Sequence, residues 1–138
     1  MGIPLNVLII EDSENDALLI VRELRRGGYD PYYERVQTAE EMEASLEKQS
    51  WDIVLSDYTM PNFNGIHALK LLQEKEIDIP FILVSGLIGE ETAVEVMKAG
   101  ASDYIMKGNL LRLVPAIERE LRDAVIRRER RQAREALK

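Results

Sequence analysis

Three carboxylates, a hydroxyl and an ammonium each follow a short run rich in aliphatic residues, and together they form a set suited to phosphoryl chemistry. Glu11 and Asp12 come after Leu5–Ile10, Asp57 after the run around Ile53–Leu55, Ser85 after Phe81–Val84 and Lys107 after Tyr104–Met106. Carboxylates brought together repel one another, and a hard, oxygen-seeking cation relieves that repulsion. Mg²⁺ suits such a set because it takes one or two carboxylates, keeps several waters and then accepts a phosphate oxygen. A carboxylate is also a competent nucleophile toward phosphorus and gives an aspartyl phosphate. The remaining work in phosphoryl transfer is positioning and neutralisation of the equatorial oxygens, for which the Lys107 ammonium, the Ser85 hydroxyl and nearby backbone N–H groups are the available donors.

For these groups to meet, the aliphatic runs must lie side by side. The five runs Leu5–Ile10, Tyr32–Val36, Ile53–Leu55, Phe81–Val84 and Tyr104–Met106 alternate with five helical patterns. Three of the runs are nearly continuous in Val, Ile and Leu, as in strands buried on both faces. The run Tyr32–Val36 carries Glu34 and Arg35 and reads as an edge strand. Helix one starts near Ser13, buries Ala17, Leu18, Val21 and Leu24, and stops at Gly27-Gly28. Helix two opens with Thr38-Ala39-Glu40-Glu41, a capping box. Helix three runs from about Gly65 with Ile66, Leu69 and Leu72 on one face. Helix four carries Ala93, Val96 and Met97 and ends at Ala99-Gly100. Helix five begins near Leu110 with Leu113, Ile117, Leu121 and Ala124 in a stripe. This is a (βα)₅ pattern and predicts an α/β fold, a doubly wound parallel five-stranded sheet with helices on both faces. Ligands in such sheets bind beyond the carboxyl ends of the strands, where the polar set falls.

The chain has 138 residues, 46% of them apolar and 31% charged, which predicts one globular domain. No run is long enough to cross a bilayer, Met1 to Asn6 lack the pattern of a signal peptide, and no cysteine is present. A cytoplasmic protein is the expectation. Of the net charge of −7, residues 127–138 contribute +4, leaving −11 on residues 1–126. An acidic body argues against nucleic acid as a partner. Residues 1–126 are expected to form the domain. Residues 127–138 are expected to be a charged helical extension or linker with little left to bury. His67 reads as a surface residue and Trp51 as a cover for one end of the core.

Four stretches resemble the response-regulator receiver domain over residues 4 to about 124. They are Val-Leu-Ile-Ile-Glu-Asp at 7–12, Asp-Ile-Val-Leu-Ser-Asp-Tyr-Thr-Met-Pro at 52–61 with Asn64-Gly65, Phe-Ile-Leu-Val-Ser-Gly at 81–86, and Ala-Gly-Ala-Ser-Asp-Tyr-Ile-Met-Lys at 99–107. Separations of 45, 28 and 22 residues between Asp12, Asp57, Ser85 and Lys107 are also typical of that family. The resemblance implies the strand order 2-1-3-4-5 and Asp57 as phosphoacceptor. It implies Mg²⁺ held by Asp12, Asp57 and the Thr59 carbonyl, with Glu11 acting through a water. Lys107 would contact the phosphoryl group, and Ser85 and Tyr104 would be a coupled switch pair. Signal would leave through the surface of helix four, strand five and helix five, as part of a two-component system. The implied phosphodonor is a histidine kinase or histidine phosphotransfer domain. A homodimer through that surface or through the C-terminal helix is a further implication. Neither nucleic acid nor membrane is an implied partner.

The sequence departs from the family at a few positions. Gly108 stands where the family usually has proline after the lysine, so a trans Lys107–Gly108 bond is the expectation. Ser85 replaces the commoner threonine, and Thr59 and Leu87 occupy loop positions that tune loss of the phosphoryl group. Other readings stay open. A haloacid-dehalogenase-type phosphatase uses a similar set but wants Asp-x-Asp after its first strand, where this chain has Glu11-Asp12-Ser13-Glu14. A flavodoxin-like flavin binder needs a phosphate loop where Glu11 to Asp16 is acidic. A receiver-like interaction module that works without phosphorylation is the third alternative. Gly-Glu-Glu-Thr-Ala-Val-Glu (89–95) and Arg-Leu-Val-Pro-Ala-Ile-Glu-Arg-Glu-Leu (112–121) resemble receivers attached to sensory and histidine-kinase domains.

Overall fold

The computed structural model describes residues 2–137. Five parallel strands, β1 (Ile3–Ile10), β2 (Tyr29–Val36), β3 (Ile53–Ser56), β4 (Phe81–Ser85) and β5 (Asp103–Met106), lie in the order β2-β1-β3-β4-β5. The helices between and after them are α1 (Glu14–Arg26), α2 (Ala39–Lys48), α3 (Gly65–Glu74), α4 (Glu90–Lys98) and α5 (Leu113–Ala136). The expected architecture and strand order are therefore present.

Period-two alternation divides the buried strand residues between two cores. Val7, Ile9, Leu55, Val84 and Ile105 face α1 and α5, packing with Ile20, Leu24 and Ile117. Leu8, Ile10, Val54 and Leu83 face the other side and pack with Met42 of α2, Leu69 of α3 and Val96 of α4. Strands β1, β3 and β4 are thus covered on both faces, which is why they read as continuous aliphatic runs. The Trp51 side chain closes one end of the second core. Its Nε1 donates to the Ser45 carbonyl at 2.9 Å, and its ring stacks on Tyr32 with centroids 5.9 Å apart.

Several local expectations need correction. Strand two starts at Tyr29, earlier than the run Tyr32–Val36, because β2 is an edge strand and an edge tolerates Pro31. On α1 the inward stripe is Ala17, Ile20, Val21 and Leu24; Leu18 lies at its margin and is 47% exposed. On α4 only Val96 is buried, and Met97 faces outward. Helix five is preceded by a 3₁₀ turn, Lys107–Arg112, so regular α-helix begins at Leu113 and not near Leu110.

Beyond Ile126 α5 continues for nearly three turns with every described residue exposed. Its first part is nevertheless tied to the domain. Arg127 and Arg131 both pair with Asp78, in the loop before β4, at 3.3 and 3.2 Å. Their charges outweigh the effect of partial burial and hold the Asp78 carboxyl below its ordinary range.

Candidate functional site

With β1 between β2 and β3, the order of strands reverses at β1 and β3, and their carboxyl ends open the crevice that holds the polar set. Backbone hydrogen bonds fix its walls. The Glu11 N–H donates to the Val36 carbonyl at 3.0 Å and the Asp57 N–H to the Ile10 carbonyl at 2.8 Å. Gly65 opens α3 directly under the loop that follows Asp57. A Cβ on Gly65 would meet the Asp57 carbonyl at 3.0 Å and Leu83 Cδ1 at 2.8 Å, so only glycine admits this approach.

Asp57 is at the centre and is buried. Its Oδ1 accepts from the Ser85 hydroxyl at 2.6 Å and from the Thr59 N–H at 3.3 Å, while its Oδ2 lies 3.1 Å from Lys107 Nζ. Glu11, only 1% exposed, accepts from the Ser13 N–H through Oε2 and places Oε1 2.7 Å from Lys107 Nζ. That Oε1 is sealed from solvent and has no aligned hydrogen bond. Burial pushes the Glu11 carboxyl up to about 7, against the pull of Lys107 and the Ser13 N–H, and the Asp57 charge adds to the rise. Burial alone would lower the Lys107 ammonium, but its close pairing with the Asp16, Glu11 and Asp57 carboxylates outweighs it and raises it above its ordinary value. Asp12 is exposed at the mouth of the crevice, where it borders a groove of about 460 Å³ that Gln37, Met60 and Phe63 also line.

The donor chemistry fits a hard cation. Glu11, Asp12 and Asp57 each offer a carboxylate oxygen, all within 4.8 Å of one another, with no sulfur or imidazole among them. The buried, unaligned Glu11 Oε1 is the feature that such an ion would satisfy.

Glu11, Asp12, Asp57, Thr59, Ser85 and Lys107 come to this one edge. Ser85 is fully buried and Thr59 is exposed with its N–H on Asp57. Tyr104 is half-buried against the second core, and its hydroxyl donates to the Gly86 carbonyl at 2.8 Å. Lys107–Gly108 is trans, as expected, since the described residues contain no cis peptide. The φ of Gly108 is not positive and a Cβ there would meet nothing, so glycine's special freedom is not what aims Lys107. His67 is exposed, as expected.

Two neighbours escaped the sequence reading. Asp16 Oδ2 lies 2.7 Å from Lys107 Nζ, and Arg35 Nη1 donates to the Glu11 carbonyl at 3.3 Å. An acid in the first turn of a helix is ordinarily explained by the helix dipole, which masked Asp16. Arg35 reads as polar edge-strand material, and nothing in its spacing pointed at the crevice.

An open parallel sheet with an acidic crevice at its switch point defines a doubly wound α/β domain of the flavodoxin-like class. Comparison with known proteins narrows this. The family model for the response regulator receiver domain matches residues 7–118. The chemotaxis protein CheY of Thermotoga maritima is 32% identical over 101 residues, covering 73% of this chain and 83% of that protein. The regulatory protein AtoC of Escherichia coli K12 is 31% identical over 133 residues, 95% of this chain but 28% of AtoC, so the chain spans about a quarter of that regulator. Among solved structures, FixJ-N has 30% identity and a TM-score of 0.73, covering 86% of this chain and 94% of its own. The receiver domain of a signal transduction histidine kinase from Syntrophus aciditrophicus has 28% identity, a TM-score of 0.73, and covers 86% and 91%. The chain belongs to the response regulator receiver domain family, the signalling modules of two-component systems. It is a signalling domain. No helix among the described residues is long and apolar enough to cross a membrane.

Proposed function

We propose that this receiver is a Mg²⁺-dependent phosphoacceptor in which Asp57 takes the phosphoryl group. The observation that carries the reading is the crowding around one buried carboxylate: Ser85 at 2.6 Å and Lys107 at 3.1 Å, with Glu11 and Asp12 beside it. Glu11, Asp12 and Asp57, with the Thr59 carbonyl, would hold Mg²⁺, which when bound neutralises charge on the phosphoryl oxygens. An Asp57 oxygen attacks phosphorus and forms a P–O bond while the donor's bond to phosphorus breaks. From a phosphohistidine that is a P–N bond, and the imidazole leaves. Lys107, already paired with Oδ2, moves its charge onto the transferring group, and the Ser85 hydroxyl exchanges the carboxylate for a phosphoryl oxygen. The phosphodonor is a histidine kinase or histidine phosphotransfer domain.

Output follows from Tyr104. Ser85 already points at Asp57, so the switch exchanges an acceptor with little swing of the side chain. Tyr104 is bonded to Gly86, the residue after Ser85, so a shift in this backbone reaches the ring directly. The ring lies at a surface of α4, β5 and the turn before α5 that exposes Val94, Met97, Met106 and Leu111. This surface pairs with a second copy or an output partner, and phosphorylation biases its two arrangements through the differential contact of Ser85.

The test is incubation with acetyl phosphate and Mg²⁺ followed by intact mass measurement. One phosphoryl adduct is expected, abolished by Asp57→Asn and by chelation of Mg²⁺. An adduct that persists in Asp57→Asn would place the acceptor elsewhere.

A further inference from the structure

Asp16 holds the third position of α1, where an acid ordinarily meets the helix dipole or closes a capping box by reaching back to the N–H of the capping residue. Ser13-Glu14-Asn15-Asp16 has the spacing of such a box, yet only half of it forms. The Asp16 N–H donates to Ser13 Oγ at 3.2 Å, but the Ser13 N–H is taken by Glu11 Oε2 at 3.1 Å. The Asp16 carboxylate is left free of that duty and lies 2.7 Å from Lys107 Nζ, across 91 residues of sequence. Its contact is as close as that of Glu11 and closer than the 3.1 Å to Asp57.

Lys107 Nζ therefore lies within 3.1 Å of three carboxylates, of which Asp16 and Asp57 accept its hydrogen bonds, and the three differ in kind. Glu11 and Asp57 belong to the cluster suited to a cation, and Asp16 does not. Once a cation engages the other two, Asp16 is the partner that stays with the ammonium. The loop cannot do this alone. Lys107 opens a 3₁₀ turn that buries none of its residues, and Asn109 within it leaves helical geometry at φ −137°, ψ 54°. Gly108 and Asn109 are exposed and nothing packs where a Gly108 side chain would be. The turn is held to the core through the half-buried Leu110, three residues on, and a flexible lysine at its start loses reach through its own rotamer freedom unless another element restrains its end.

We infer that Asp16 is a positioning residue, a tether on α1 that holds the Lys107 ammonium over Asp57 while Glu11 and Asp57 are engaged with the cation and the phosphoryl group. The inference rests on the phosphoacceptor reading above. The aim of Lys107 then comes from the first helix and not from its own loop alone.

The test uses the full chain in five forms: wild type, Asp16→Asn, Asp16→Glu, Lys107→Ala and the double variant Asp16→Asn with Lys107→Ala. Modification by acetyl phosphate is expected to slow by about ten- to a hundredfold in Asp16→Asn, the scale of a misplaced catalytic group. Asp16→Glu, which keeps the charge, recovers part of that loss. In the Lys107→Ala background the same Asp16→Asn change should cost less than about twofold, because the two residues act as one unit. Equal slowing in both backgrounds, or none in either, would overturn the tether. A second readout is the ¹⁵N signal of the Lys107 ammonium, protected from exchange in wild type and lost in Asp16→Asn. If the wild-type protein takes up no phosphoryl group the phosphoacceptor reading fails, and the ammonium signal alone then decides the tether: unchanged in Asp16→Asn, it refutes the pairing.

Discussion

Glu11→Gln should stabilise the metal-free protein near pH 8 while removing its response to Mg²⁺. Glu11 is 1% exposed, and its carboxyl is pushed from an ordinary 4.5 up to about 7, mainly by burial. A group whose folded pKa is raised contributes stability that is fully present below 4.5 and is lost as pH climbs through about 7. The gap corresponds to a swing of ~3 kcal/mol, an upper value because glutamine gives up the charge that faces Lys107. Glutamine keeps an oxygen for the Ser13 N–H and leaves Lys107 its pairs with Asp16 and Asp57. Urea unfolding in chelator from pH 4 to 8.5 provides the measurement. Wild type should lose stability between pH 4.5 and 7.5 relative to Glu11→Gln, and the two curves should meet near pH 4. Added Mg²⁺ should stabilise wild type at pH 8, because a cation binds the carboxylate and not the acid, and should leave the variant nearly unmoved. Parallel pH curves for the two proteins in chelator would refute the idea that burial of this carboxylate strains the metal-free fold.

The other predictions concern the helix extension and the glycines. Asp78→Asn frees Arg127 and Arg131, so hydrogen exchange should accelerate over residues 127–136 of α5, while global stability falls by less than about 1 kcal/mol because the pair is substantially exposed. The depressed Asp78 carboxyl has the opposite linkage sign to Glu11: its contribution is present above an ordinary 3.8 and disappears as pH falls below it, which exchange measured down to pH 3 would detect. Gly108→Ala should raise stability by roughly 0.4–1 kcal/mol in thermal unfolding, since the backbone there suits any residue and the space is open. Gly27→Ala should instead cost about 1–3 kcal/mol, because its Cβ would meet Val114 Cγ2 at 2.5 Å where α1 packs on α5.

The sheet was legible because β1, β3 and β4 are covered on both faces and so carry unbroken aliphatic runs, each ending where the chain turns polar. The positions of Asp57 and Ser85 were legible for the same reason: a polar residue at the carboxyl end of a buried parallel strand has only the ligand edge to occupy, and Lys107 stands at the corresponding end of the edge strand β5. The two edges of the sheet and the outer helices were less so. Tyr29-Asp30-Pro31 has the composition of a turn, and pairing with β1 overrides it. Leu18 and Met97 satisfy a helical stripe in sequence, but the stripe is wider than the strip of sheet available to cover, and its margin stays in solvent. Asp16 was hidden because its local explanation, a helix start, is complete in itself. Only the backbone contact of Ser13 with Glu11 frees its carboxylate for Lys107. Arg127 and Arg131 read as a solvated tail because their partner Asp78 sits in a loop some 50 residues earlier.

The central claim is that the phosphoryl group goes to the Asp57 carboxylate. Borohydride reduces an acyl phosphate to the alcohol, so treatment after acetyl phosphate and Mg²⁺ should convert residue 57 to homoserine, read by sequencing the peptide that spans Asp52 to Lys70 in a mass spectrometer. Homoserine at position 57 alone, and none without Mg²⁺, is the predicted result. Reduction at Glu11 or Asp12, or a borohydride-resistant phosphate on Ser85, would contradict the account.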